Sequence, residues 1–314
     1  MMVQSVIAAL EALFVLFLMS AFGWLLRARR LITPAAMPVL STIALDAALP
    51  CLIFTVMLKR FHSAGVSGWY GLPLAWLLFT AVALPLSLVA GYAARTPVRR
   101  EFRVCCFYQN ALFFPLAILT GMFGADSPPV AQLFLMTFLF PTLFFNTCGM
   151  FFQARLRPNW RKTLHPVLFS TLAAMLIAFA GVSDAVPGVF LKAMQQVGAV
   201  SVPLLMLLLG ARIRDDYEKR GPIYWREIFA FVSIRNIIFP LLFLAALPLL
   251  NLSRDLGFLL LLQAAMPPVT AAPILIGRNG GNETFAGQLL VTSYLASAVT
   301  IPGMVWLFGR VMGT

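Results

Sequence analysis

The chain has 314 residues, of which 61% are hydrophobic and 11% are charged, and its mean hydropathy is +0.91. A soluble fold of this length could not bury so much apolar surface, so the composition predicts an all-α integral membrane protein in a lipid bilayer. The formal net charge of +12 would suggest a nucleic-acid partner in a soluble chain. Here the Lys and Arg residues lie in short loops between apolar segments, so no nucleic-acid partner is expected.

Ten apolar segments, numbered spans 1 to 10, are predicted to cross the membrane, which takes about 20 residues each. They cover residues 5–26, 37–58, 69–93, 103–123, 129–153, 164–181, 190–211, 227–249, 256–276 and 285–309. The first basic residue, Arg27, follows span 1, so span 1 is not expected to be a cleaved signal peptide.

Basic residues are divided unevenly between the loops. Most of the 23 Lys and Arg residues follow the odd-numbered spans, and Arg212 and Arg278 are assigned to such loops. The opposite side has Lys59, Arg60, Arg254 and Arg310. By the positive-inside rule, the odd loops are cytoplasmic and both termini lie outside, on the periplasmic side of a bacterial inner membrane. The histidines, His62 and His165, are also assigned to loops.

Prolines interrupt spans 4 and 9. The interruptions are Gln109–Pro115 in span 4 and Gln263–Pro273 in span 9. Proline removes a backbone donor and frees carbonyl groups, which hydrocarbon cannot satisfy, so such backbone must lie against protein or water. A broken helix in each half of a chain is typical of the binding site of a transporter.

The two halves of the chain resemble each other. Ile43–Pro50 in span 2 is similar to Gln196–Pro203 in span 7, and Pro115 corresponds to Pro273, in each case about half the chain later. Each half has five spans, an odd number, so the second half must enter the membrane upside down. The sequence therefore predicts two inverted five-helix repeats, residues 1–157 and 158–314, whose breaks meet near the midplane.

Four segments carry a family resemblance: Gly23–Ile32, Ala47–Pro50, Asn110 with Pro115, and Gln263–Pro268. Together they resemble the auxin efflux carrier family, which includes the plant PIN proteins and bacterial carriers of malonate or malate. The family belongs to the bile/arsenite/riboflavin transporter superfamily. The resemblance implies a ten-helix inverted-repeat fold like that of sodium/bile-acid symporters, in which helices 4 and 9 cross at their prolines.

The resemblance also implies a division of labour between helices. Helices 1, 2, 6 and 7 (about 5–58 and 164–211) would form a scaffold, and helices 3–5 and 8–10 (about 69–153 and 227–309) a mobile transport domain that moves as an elevator. Substrate would bind beside the crossing, whose family positions fall on Asn110, Pro115, Pro267 and Pro268. The segment Asn110–Phe113 is bulkier and less glycine-rich than the usual family pattern, which affects the size and shape of the site.

The residues themselves point to an anion site at the breaks. Half-helices that end there present unpaired N–H groups on one side and unpaired carbonyls on the other. Gln109, Asn110, Gln263 and Thr270 are the nearest polar side chains, and they could hydrogen-bond a carboxylate. Alternatively, the amides and prolines satisfy each other across the crossing as structural contacts.

Two ionisable residues lie inside spans, where a charge is costly. Asp46 in span 2 and Arg235 in span 8 are both expected near the midplane. In one interpretation Arg235 attracts an anionic substrate and Asp46 responds to protons, so that they act in coupling or gating. In the other they form a structural ion pair, or are solvated separately. Asn146 in span 5 is a further candidate for lining the cavity, although such an amide more often bonds a neighbouring helix.

The predicted function is secondary transport of small organic anions such as malonate, malate or auxin-like acids. The alternatives are a sodium- or proton-coupled symporter of a larger organic acid, or a channel or membrane scaffold without transport. Neither a GxSxG nor an HExxH motif is present, so we expect no enzyme activity. No cofactor or metal is expected, because the four cysteines lack ligand spacing. A homodimer through the scaffold domain is the protein partner to consider.

Overall fold

The computed structural model describes residues 2–61, 69–152, 165–218 and 221–312. Their helices are α1 (Met2–Ala28), α2 (Ala36–Arg60), α3 (Gly71–Ala93), α4 (Arg99–Phe107), α5 (Phe113–Phe123), α6 (Pro128–Phe152), α7 (Pro166–Phe179), α8 (Gly188–Glu218), α9 (Trp225–Leu250), α10 (Arg254–Ala265), α11 (Ala272–Arg278) and α12 (Glu283–Val311). These ranges contain no β-strand, which confirms the all-helical class.

Seven helices are long and apolar enough to cross a membrane: α1, α2, α3, α6, α8, α9 and α12. They coincide with predicted spans 1, 2, 3, 5, 7, 8 and 10. Span 6 corresponds to the shorter apolar helix α7. Spans 4 and 9 are each divided between two short helices, α4 with α5 and α10 with α11, so both predicted interruptions are real breaks.

Helix α8 is longer than the predicted span 7, which ends at residue 211. Hydropathy falls beyond that residue, but the helix continues to Glu218 because its polar turns find partners. Arg27 Nε lies 2.6 Å from Asp215 Oδ1, and Arg214 Nη2 lies 2.7 Å from Glu218 Oε1 one turn later. Arg212 is therefore a helical residue and not a loop residue. His62, predicted to lie in a loop, and the predicted junction at 157/158 lie outside the described residues.

Proline also shapes the two spans that contain ionisable residues. Ile43–Ala48 in α2 and Ser233–Ile238 in α9 are π-helical turns. Each is followed within two residues by a proline, Pro50 or Pro240, which lacks an N–H and pushes away the carbonyl four residues earlier. Asp46 and Arg235 lie in these widened turns, a kind of irregularity that is often found at functional sites.

Helices α1, α2, α7 and α8 form one packed group, in which α8 contacts both α1 and α2, and α2 contacts α7. A Cβ atom added to Gly210 of α8 would lie 1.7 Å from the carbonyl oxygen of Ser20, and one added to Gly23 would lie 1.9 Å from that of Leu207. The backbones of α1 and α8 therefore touch, which small residues allow in membrane helices. Helix α2 packs against both α7 and the first half of α8. The crossing of the broken helices lies beside this group.

Candidate functional site

The two breaks meet through their backbones. Gln109 and Pro268 form an isolated antiparallel bridge. The Asn110 N–H donates to Pro267 O at 2.8 Å, and the Val269 N–H donates to Tyr108 O at 2.9 Å. Groups freed by one interruption are thus satisfied by the other, as a membrane interior requires. Spans 4 and 9 do cross at their breaks.

The two glutamines predicted at the breaks join them from the side. Gln109 Nε2 approaches Gln263 Oε1 at 3.5 Å, and Gln263 Nε2 donates to Ala111 O at 2.8 Å. Both side chains are buried. These contacts agree with the structural alternative for this pair, in which amides hold the crossing together.

Asn110 links the crossing to the last helix and also bonds the first turn of α5. Its Oδ1 accepts from the N–H groups of Phe113 and Phe114, at 3.1 and 3.4 Å. The Asn110 side chain therefore satisfies the first N–H groups of α5, although the N-cap position itself is Leu112. Its Nδ2 contacts Tyr294 Oη at 2.6 Å. Asn110 also lines a cavity beside the crossing.

The three prolines predicted at the crossing have backbone roles, and Asn146 bonds within its own helix. Pro115 lies in the first turn of α5, where its missing N–H would have had no helical partner. Pro267 supplies the carbonyl that accepts from the Asn110 N–H, and Pro268 forms the bridge with Gln109. Asn146 Nδ2 donates to Thr142 O, four residues earlier in its own helix.

A cavity of ≈ 240 Å³ lies between the crossing and the group of α2, α7 and α8. The crossing contributes Asn110, Leu112, Phe113, Val269, Thr270 and Ala271 to its wall. The facing wall is largely apolar, with Leu45, Leu49, Leu205, Met206, Leu208 and Leu209. Two of the predicted binding residues, Asn110 and Thr270, therefore line one cavity.

Three basic side chains line the same cavity: His165, Arg212 and Arg278. Its described lining has no Asp or Glu. Arg212 Nη1 donates to Thr270 O at 3.0 Å, which links α8 to the break before α11. The positive charges of Arg212 and Arg278 beside an uncharged amide suit a carboxylate.

Arg235 lies outside this cavity lining. Its side chain is 2% exposed, and its Nη1 donates to Ala264 O at 2.7 Å, in the last turn of α10. A positive charge is favourable at a helix C-terminus, because the carbonyl ends carry a partial negative charge. Its Nε and Nη2 have no hydrogen-bond partner among the described residues.

Asp46 and Arg235 do not meet. Among the described residues no hydrogen bond or ion pair joins them, and Asp46 Oδ1 instead lies 3.6 Å from His165 Nε2. Residue counting along the spans predicts a similar depth for both, but they face different neighbours. A direct gate between these two residues is therefore absent from this structure.

Sequence reasoning missed four residues of this region: Arg212, Arg278, His165 and Tyr294. For Arg212 a signal was present, because positions 205, 208, 209 and 212 are spaced as one helix face. All four line the cavity. No comparable pattern marks His165 or Tyr294.

Comparison with protein families gives a match to the model described as Membrane transport protein, over residues 8–153 and 146–305. The two matches overlap and together cover nearly the whole chain. A comparison with curated proteins found no match.

Proposed function

Since the chain belongs to the auxin efflux carrier family of membrane transport proteins, we propose that it is a secondary transporter of small organic anions that bind at the crossing of helices 4 and 9. The family consists of transporters, not enzymes, and with its apolar helices the chain is an integral membrane protein. The observation that carries the proposal is the cavity beside the crossing, with three basic side chains and no acidic one in its described lining.

The substrate contacts proposed are electrostatic at one end and apolar at the other. Arg212 and the Asn110 amide hold the carboxylate, with Thr270 beside them. The Leu and Phe side chains of the wall hold the remainder of the molecule. Because most of the lining is apolar, a carboxylate with an apolar body is favoured over a compact dicarboxylate.

We assign the glutamines, the prolines and Arg235 to the structural support of this site. Gln109, Gln263 and the prolines fix the geometry of the crossing. Arg235 supplies positive charge to the carbonyl end of α10. We assign to it the role of holding the half-helix in place, in preference to direct contact with substrate.

The proposed architecture is ten membrane crossings in two inverted repeats, with an elevator movement between two domains. Its support is the way the cavity is built: one wall belongs to the proposed transport domain and the other to the proposed scaffold. The bond from Arg212 to Thr270 joins the two walls, so it must break when the transport domain moves. This bond takes the gating role first considered for Asp46 and Arg235.

The test is uptake of radiolabelled carboxylates into proteoliposomes that contain the purified protein. We expect saturable uptake and accelerated exchange when unlabelled substrate is placed on the opposite side. Flux that rises linearly with concentration without saturation would indicate a channel. No flux of any carboxylate, with or without sodium and across a range of pH, would refute the proposal.

A further inference from the structure

A second cavity, of ≈ 400 Å³, lies apart from the crossing at the start of α4. Its lining includes residues from the first turn of α4 and from the turn between α11 and α12. The lining includes Arg99, Arg100, Glu101, Arg103, Gly280 and Gly281. Neither the family match nor the transport proposal assigns a role to it.

The three arginines of this cavity have gathered without an acidic partner. Among the described residues, none of them forms an ion pair, whereas nearby Arg95 lies 3.4 Å from Glu227. The guanidinium carbons of Arg99 and Arg103 lie 5.0 and 5.2 Å from the centre of the Tyr92 ring. Both guanidinium groups contact one ring, and an anion bound beside them would offset the repulsion between their like charges.

Further hydrogen-bonding capacity is unused at the same place. Val98, which precedes α4, makes no side-chain cap, and the Arg99 N–H bonds Thr96 O. The start of α4, where the helix dipole has its positive end, lies in the cavity wall. Arg99 Nε is buried and has no hydrogen-bond partner within the described part of the chain. A helix N-terminus flanked by arginines is suited to a phosphate group.

Glu101 supplies one acceptor among these donors. Its side chain is 4% exposed, and its Oε1 accepts from the Asn282 N–H at 2.9 Å. Its Oε2 is buried and has no hydrogen-bond partner among the described residues. A ligand that carries both a phosphate and a hydroxyl group would satisfy the arginines and this carboxylate together.

The position of the cavity matches the level of lipid headgroups. Its lining residues begin directly after α3, one of the helices long enough to cross the membrane. Val89 and Tyr92, near the end of α3, are 67% and 69% exposed, which is typical of a lipid-facing surface. Basic pockets at such a level bind anionic headgroups.

We propose that this cavity binds a hydroxyl-bearing phosphate ester, the chemistry shared by a phosphatidylglycerol headgroup and soluble glycerol phosphate. The phosphate contacts Arg99, Arg100 and Arg103 and the start of α4. The hydroxyl group donates to Glu101 Oε2. The site is independent of the substrate cavity, so it stands whether or not the protein transports organic anions.

The experiment measures ligand retention by the detergent-purified full-length protein. Native mass spectrometry would compare dioleoyl phosphatidylglycerol with dioleoyl phosphatidylmethanol, which has the same charge but no headgroup hydroxyl. Thermal-shift titration would compare glycerol phosphate with methyl phosphate. The variant is Arg100→Gln, since Arg100 is exposed and its loss should not impair folding. The matched control is Arg226→Gln, another exposed arginine outside the cavity.

We expect Arg100→Gln to weaken retention about fivefold and the double variant Arg99→Gln/Arg100→Gln about 25-fold, with no change in the Arg226→Gln control. Phosphatidylglycerol should be retained about fivefold more tightly than phosphatidylmethanol. Binding confined to the lipid identifies a headgroup site, and binding of glycerol phosphate alone identifies a soluble ligand. The proposal is overturned if neither binds, if the control loses as much as the variants, or if the hydroxyl makes no difference.

Discussion

Replacing Arg212 by Gln tests the electrostatic basis of the substrate cavity. The side chain lines the cavity, and its Nη1 bonds the Thr270 carbonyl at 3.0 Å. Gln keeps a similar reach and a donor but removes the positive charge. A hydrogen bond to a charged group contributes about 1.5–3 kcal/mol. At about 1.4 kcal/mol per factor of ten, the loss corresponds to roughly 10- to 150-fold weaker binding of a carboxylate.

The assay is the initial rate of carboxylate uptake into proteoliposomes as a function of substrate concentration. We expect KM for Arg212→Gln to rise by roughly that factor, with partial recovery in Arg212→Lys, which keeps the charge without the fork geometry. Arg214→Gln is the matched control. It lies two residues away on α8, but its guanidinium pairs with Glu218 and lies 4.6 Å from the centre of the Trp24 ring, outside the cavity lining.

Two results would refute this reasoning. An unchanged KM for Arg212→Gln would show that the charge does not meet the substrate. An equal rise in KM for Arg214→Gln would show that the effect comes from the general charge of this end of α8 and not from the cavity. A fall in the maximum rate with unchanged KM would assign Arg212 to gating alone.

Three further predictions concern packing, the half-helix and the movement. Gly210→Ala should lower Tm by several degrees, because overpacking costs about 1–3 kcal/mol. The control is Gly303→Ala, whose added methyl group meets open space and should not lower Tm. Equal Tm values for the two variants would contradict the close contact of α1 and α8. Arg235→Met should lower Tm, because it removes the hydrogen bond to the buried Ala264 carbonyl, but it should leave KM unchanged. A raised KM with the Tm of the native protein would instead make Arg235 a substrate ligand. A cleavable crosslink between Leu205→Cys and Ile274→Cys should stop flux until it is reduced, and continued flux would argue against an elevator.

The crossing shows how two irregular segments become stable inside a membrane. Neither break can satisfy its own backbone, because the prolines remove donors and leave carbonyls free. Together they exchange the bonds Asn110 N–H to Pro267 O and Val269 N–H to Tyr108 O. The two halves of the chain therefore depend on each other at this point, and a change in one break should destabilise both.

The sequence alone determined the membrane class, the apolar spans and the places where two of them break. These features follow from hydropathy and proline, which act locally along the chain. Seven predicted spans coincide with helices long enough to cross a membrane, and the helices of spans 4 and 9 end where the prolines predicted. The family was also recognisable from short segments around the breaks.

Only the tertiary structure decided which side chains share a cavity. Counting residues predicts the depth of Asp46 and Arg235 but not the direction that each faces, and Asp46 lies beside His165 instead. Likewise, hydropathy ended span 7 before Arg212, although the helix carries that residue into the cavity wall. The physical reason is that lipid and protein core are both apolar, so the two faces of a membrane helix look alike in sequence. Rotation about the helix axis is set by packing against neighbours, which appears only once the chain is folded.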